Sequence, residues 1–390
     1  MVNTVSCGKM WRAHPICRSE TNMKQPRNRL LPSRTTFPTH TRREFVATIS
    51  AMGSALALGL PRYAQGKGLS SHANDWQWLL GTWDVSHRRL KERLAGSNEW
   101  QEFGGRSALW LTMGGLGTVD DNIVELPGDT YRGLTIRAFD SKQLKWAIWW
   151  LDGRKSTYIE PPVLGGFDGD VGTFIGRDKF NGRPITVRFR WNDIHSPRPW
   201  WEQAFSTDEG VTWEINWRNY FTRTSAEPSA LPKVSGAPTE FDFLVGRWTV
   251  HHRRLKTRFV GSDAWQEFDG TLENWPVLGG HGNVGDNVMN FPSGVVRGMG
   301  LRAYDQSTKQ WLSWWLDSRE PSVIGPPMRG SFSNGTGIFV GDERQNGRTI
   351  KTRVQWSEIT SRSARWEQAS SIDGGKTWEK NWISTFSRDA

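Results

Sequence analysis

Ile185-Thr186-Val187-Arg188-Phe189-Arg190-Trp191 is a run of β-branched and aromatic residues, and 165 residues later the chain carries its counterpart, Ile350-Lys351-Thr352-Arg353-Val354-Gln355-Trp356. Residues of this kind suit a pleated, half-buried surface. Each run follows an Asn-Gly pair, Asn181-Gly182 and Asn346-Gly347. Both residues of such a pair tolerate positive φ, so each reads as a two-residue hairpin turn that leads into a strand. Outward from there, Trp146-Ala147-Ile148-Trp149-Trp150-Leu151 and Trp201-Glu202-Gln203-Ala204-Phe205-Ser206 are further β-prone runs bounded by Gly, Asn, Asp and Pro. No long 3.6-residue apolar period interrupts them, and short helical turns are expected only at Asp75–Leu80 and Phe241–Val245. An all-β chain follows, with about eight to ten strands in each repeat.

The repeat itself is explicit. Asp75–Arg223 aligns with Glu240–Arg388 without a gap, with about 66 of 149 positions identical. A period this long means two tandem domains, not the blades of a propeller. The expected division is a leader over 1–64, one repeat over 70–224, a Ser/Ala/Pro-rich spacer over 225–238 and a second repeat over 239–389.

In the leader, Arg42-Arg43-Glu44-Phe45 precedes an uncharged stretch from Val46 to Leu60. The pattern resembles a twin-arginine export signal, and the stretch is shorter than the roughly 20 residues a membrane-spanning helix needs. The expectations are recognition by the twin-arginine export machinery, cleavage near Ala64, no stable membrane span afterwards, and a periplasmic or secreted protein. Removing the leader changes the charge: ten of the 50 Lys/Arg but two of the 40 Asp/Glu lie in residues 1–64. The remaining chain is nearly neutral, which removes the main support for nucleic-acid binding. Both cysteines, Cys7 and Cys17, lie in the leader, so no disulfide or thiolate metal ligand is expected beyond it. Adjacent His251 and His252 point to opposite faces of a strand, and no metal site or cofactor motif is recognised. Gly114-Gly115-Leu116-Gly117 and Gly279-Gly280-His281-Gly282 lack a phosphate-loop lysine and read as turns.

Leu79-Leu80-Gly81-Thr82-Trp83 and Leu244-Val245-Gly246-Arg247-Trp248 open the two repeats and resemble the start of calycin-like barrels such as lipocalins and fatty-acid-binding proteins. The resemblance implies two closed antiparallel barrels with a cup inside, which removes exposed sheet edges; a β-sandwich is the alternative. Ser206-Thr207-Asp208-Glu209-Gly210-Val211-Thr212-Trp213 and its copy Ser371–Trp378 resemble the Asp-box hairpin, read here as a turn device.

If Trp83 points inward, so do Val85, His87 and Arg89, and in the second copy Val250, His252 and Arg254. Buried charges need partners. Glu102, Glu202, Glu267 and Glu367 are the candidate acids, with Arg137, Arg188, Arg302 and Arg353 as additions to the lining. Ten Trp positions recur in both copies; most are expected to fill the barrels, while Trp150, Trp201, Trp315 and Trp366 are candidates for a stacking wall. The same residues equally suit a satisfied structural network. Three classes of function remain: a binder of a small, partly apolar molecule in each barrel, a hydrolase or isomerase using His87 or a Glu as acid or base beside an arginine, and a structural or partner-binding envelope protein.

Overall fold

The computed structural model describes residues 71–345 and 347–389, which belong to one compact unit. The twin-arginine stretch, both cysteines, the cleavage position and Asn346 lie outside the described residues.

The first repeat forms β1 (Gly81–Leu90), β2 (Trp100–Thr112), β3 (Gly117–Leu126), β4 (Asp129–Asp140), β5 (Lys145–Asp152), β6 (Val163–Asp168), β7 (Val171–Phe180), β8 (Arg183–Asn192), β9 (Trp200–Ser206) and β10 (Glu214–Ser225). The second forms β11 (Gly246–Leu255), β12 (Trp265–Val277), β13 (Gly282–Phe291), β14 (Gly294–Asp305), β15 (Gln310–Asp317), β16 (Met328–Ser333), β17 (Thr336–Gln345), β18 (Arg348–Ser357), β19 (Ser363–Ser371) and β20 (Glu379–Ser387). In each set every strand pairs antiparallel with its neighbour, and the first strand closes on the last. These are two closed ten-stranded barrels, not sandwiches. The Asn181-Gly182 turn has φ of 50° and 78°, as its composition requires.

A short 3-10 turn seals the base of each barrel. In the first, Gln77–Leu79 brings Trp76 to full burial among Trp146, Phe174 and Trp191. The Gly-x-Trp opening now has a physical explanation. Gly81 has φ +122°, and a Cβ there would meet the Ser225 carbonyl at 2.3 Å. Two residues on, the Trp83 indole donates to the Leu79 carbonyl at 2.8 Å and locks the turn to β1. The second barrel repeats this with Phe241 as plug and Trp248 donating to Leu244 O at 2.9 Å.

The two barrels pack against each other through the outer faces of β2–β5 and β12–β15. One apolar cluster contains Val119, Leu134, Ile136, Trp149 and Leu151 together with their counterparts Val284, Met299, Leu301, Trp314 and Leu316. Trp110 stacks on Trp275, the same position of the other repeat, with ring centroids 5.5 Å apart. Two hydrogen bonds are reciprocal: Met113 N donates to Asp286 at 2.9 Å, and Leu278 N donates to Asp121 at 3.0 Å. Like residues meeting like residues is the pattern of an isologous two-fold interface. Recurring tryptophans therefore do two jobs, and Trp110, Trp149, Trp275 and Trp314 join the barrels instead of filling them. The spacer also packs: Leu231 is buried, Pro232 accepts from Arg132, and Val234 N donates to the Gly279 carbonyl at 2.7 Å.

Candidate functional site

Barrel 1 encloses a cup of about 430 Å³. Strand alternation builds it. On β8, Ile185, Val187 and Phe189 point inward, and on β9 Trp201, Gln203 and Phe205 do so. With Phe180, Ile148 and Trp217 they give a largely aromatic wall. Trp201 is held edge-on by Phe189 and Trp217, and Trp150 lies over Gly133 near the mouth, where a Cβ would collide with its ring at 2.3 Å.

At the floor, buried Arg137 is paired with Asp120, donates to Thr118 Oγ1 at 3.1 Å and lies over the Trp76 ring at 4.3 Å. Midway up, His87 stacks on Phe103 and shares a 2.7 Å hydrogen bond between Nδ1 and Asn219 Oδ1. The Trp217 indole N–H also donates to Nδ1, at 3.3 Å. Its Nε2 is buried without a partner and faces Gly105, where a Cβ would sit 2.6 Å away. Burial, opposed by the Asn219 hydrogen bond and reinforced by Arg89, pulls its pKa down to about 4, so the ring is neutral near pH 7.

Two arginines stand at the mouth. Arg89 lies 5.2 Å over the Trp217 ring, and Arg93 lies 4.6 Å over Phe180. Burial lowers the pKa of both, and for Arg93 the charge of Arg89 adds to this. Neither has an ion-pair or hydrogen-bond partner among the described residues. Glu160 lies on the rim, its pKa pushed up to about 7 by burial and by Asp178 and Asp152.

Barrel 2 differs where it matters. Phe291 replaces Leu126 and stacks on Phe268 at 4.1 Å, with Met289 and Trp382 in the same cluster. Arg254 lies over Phe291 and Trp382, and Arg258, the counterpart of Arg93, is paired with Glu343 at 3.3 Å. The mouth that barrel 1 leaves open is closed by aromatic side chains, and one of its two arginines has an internal counter-ion. His252 is placed like His87: it stacks on Phe268, contacts Ser384 Oγ at 2.8 Å, and burial brings its pKa to about 4.

Of the candidate residues, His87, Arg89, Arg137, Trp150 and Trp201 line the barrel 1 cup, and Arg302 and Trp366 lie in the interior of barrel 2. Others correct the expected lining. Arg188 and Glu202 alternate with Val187, Phe189, Trp201 and Gln203, so they face outward, where Arg188 covers the Asp-box Trp213 and lies 3.8 Å from Glu202. Arg353 does the same over Trp378. Glu102 pairs with Arg88, Glu267 with Arg253, and Glu367 with Arg365 and Lys380, all on outer faces. Trp315 is 41 % exposed and donates to Asp317. Arg93, Asp120, Asn219 and Trp217 are cup residues that the sequence reading missed. The Asp-box hairpins are turns: Asp208 accepts from Thr212 N at 2.9 Å and from Thr212 Oγ1, which holds its pKa down at about 2.

No family model and no curated protein matches the chain. Among solved structures it is similar to a protein of unknown function of the DUF3598 family from Nostoc punctiforme, at 11% identity over 82% of this chain and 99% of that one, with a TM-score of 0.24. It is also similar to the S-type phycobiliprotein lyase of Guillardia theta, at 12% identity over 38% of this chain and 90% of that one, TM-score 0.28. A double mutant of transferrin binding protein B from Haemophilus parasuis matches at 6% identity over 78% and 74%, TM-score 0.16. The barrels are established by their own strand pairing, and no ligand or activity is carried over from these proteins.

Proposed function

We propose that the chain is an exported binding protein in which barrel 1 alone holds a small, partly apolar molecule with an acidic group. One observation carries this reading: among the described residues Arg89 and Arg93 form no ion pair over an aromatic cup, Asp129 and Glu214 acting on them only from beyond ion-pair distance, while their counterparts in barrel 2 are covered by Phe291 or paired with Glu343. Two like charges half-removed from water are costly unless an anion joins them. An acid group between the two guanidiniums would supply that partner, and the aromatic wall below would bury the rest of the molecule. Restriction to one barrel replaces the expectation of a ligand in each.

The calycin-like resemblance at Gly81-Thr82-Trp83 supports a carrier, and Arg42-Arg43 supports a periplasmic or secreted location; replacing both arginines by lysine in a fusion of residues 1–64 to a reporter should abolish export. The hydrolase or isomerase alternative gains nothing from His87, whose Nδ1 is occupied by Asn219 and whose Nε2 faces the β2 backbone.

The test is a fluorescence titration with two probes that share one ring system, anilinonaphthalene sulfonate and the uncharged phenylnaphthylamine. Both should bind, and Arg89→Gln with Arg93→Gln should weaken the sulfonate roughly 10- to 100-fold, the value of a charged hydrogen bond or two, while leaving the neutral probe unchanged. Equal loss for both probes would remove the acidic group from the account, and binding of neither would remove the cup.

A further inference from the structure

Arg302, the counterpart of Arg137, lies deep in barrel 2, 5.0 Å from the Phe241 ring centroid and 5.7 Å from that of Trp356. Its hydrogen-bond partner is a neutral amide: Nη1 donates to Asn283 Oδ1 at 2.9 Å. In barrel 1 the same arginine is paired with the Asp120 carboxylate. At the position of Asp120 barrel 2 has Gly285, and at that of Thr135 it has Gly300. Burial alone, with no neighbouring charge contributing, lowers the Arg302 pKa to about 10.

Gly300 also leaves room, whereas at Gly285 the space is taken by Leu272 Cδ1 and Asn274 Nδ2, which an added Cβ would meet at 2.7 and 3.1 Å. A Cβ on Gly300 would sit 3.7 and 3.8 Å from the two terminal nitrogens of Arg302 and 3.9 Å from Asn287 Nδ2, with nothing closer. Arg137 is 2 % exposed, whereas Arg302 is only partly buried. In a closed barrel plugged below by Phe241 and roofed above by Phe268, Phe291 and Trp382, that remaining surface faces an internal space. The space is small, lined by N–H donors and set against a fixed positive charge.

We propose that barrel 2 holds a small monovalent anion of halide size against Arg302, beside Gly300, in the space that the Thr135 side chain takes up in barrel 1. Such an anion supplies the counter-charge that a buried guanidinium needs, and the aromatic roof excludes anything larger. Duplication has thus given two solutions to one electrostatic demand, a covalent carboxylate in the first copy and a bound ion in the second.

The whole chain is unfolded by heat in sodium chloride and, at equal ionic strength, in sodium gluconate, whose anion is too large to enter. A ligand that binds only the folded state raises the transition temperature, so chloride should raise it for the wild type. It should not do so for Arg302→Met, or for Gly285→Asp with Leu272→Ser, which rebuilds the barrel 1 pair and clears the Leu272 methyl that an added Cβ would meet at 2.7 Å. A crystal soaked in bromide should show anomalous density within hydrogen-bonding reach of the Arg302 guanidinium. Overturning results are a wild type indifferent to chloride, a chloride effect that persists in Arg302→Met, or a water in place of bromide beside Arg302. If the Gly285→Asp variant does not fold, the wild-type soak and Arg302→Met still decide.

Discussion

Replacing Asp121 by Asn should make the protein more stable at alkaline pH. Asp121 is fully buried between the barrels, where it accepts the Leu278 N–H at 3.0 Å with Arg132 3.9 Å away. Burial, opposed by that hydrogen bond and by Arg132, pushes its pKa from 3.8 up to about 7. Between those values the folded protein keeps a proton that the unfolded chain has released. Its contribution is therefore fully present below pH ~3.8 and is lost as pH rises through about 7. About three pKa units at 1.36 kcal/mol each amount to roughly 4 kcal/mol of stability lost on going from pH 4 to pH 8. Asparagine keeps an acceptor oxygen for Leu278 and removes the charge. Urea unfolding at pH 4, 6 and 8 should show the difference between Asp121→Asn and wild type growing with pH by up to about 4 kcal/mol. Parallel stability curves would mean that the carboxyl ionises in the interface at its ordinary pKa, and the reasoning would fail.

Val124→Met with Leu126→Phe carries the barrel 2 stopper into barrel 1, and both fluorescent probes should lose binding while far-ultraviolet circular dichroism stays unchanged. Asp120→Ala strands Arg137, which is 2 % exposed, and should cost about 3–5 kcal/mol in chemical unfolding. Ionised Glu160 on the rim repels an anion, so affinity for the sulfonate probe should fall as pH rises through about 7; Glu160→Gln should flatten that dependence, which titrations at pH 6 and pH 8 would show.

Much of the architecture was legible because each repeat advertises it. Trp83, Val85, His87 and Arg89 were placed correctly, since β1 runs without a bulge through those residues and period two carries from the first to the last. The same rule, applied to β8 and β9, would have turned Arg188 and Glu202 outward, because Val187, Phe189, Trp201 and Gln203 already take the inward positions. Arg93 was hidden for a different reason: it lies beyond the end of β1, where strand alternation no longer says which way a side chain points. The interface was hidden as well. Ala147, Trp149 and Leu151 alternate with inward Trp146, Ile148 and Trp150, so β5 is apolar on both faces, and a continuous apolar run does not say what covers its outer side. Asp120 and its replacement Gly285 stand in the middle of β3 and β13, not in loops, so the divergence between copies reaches the barrel interiors and separates an open cup from a closed one.

The central claim is that barrel 1 holds an acidic, partly apolar organic molecule and barrel 2 does not, and native mass spectrometry of the protein purified from its own host tests it directly. The account predicts a reproducible extra mass of one equivalent per chain, acidic in character, released on denaturation and absent from Val124→Met/Leu126→Phe. Two equivalents of that organic molecule per chain, or one that survives in the variant, would contradict it.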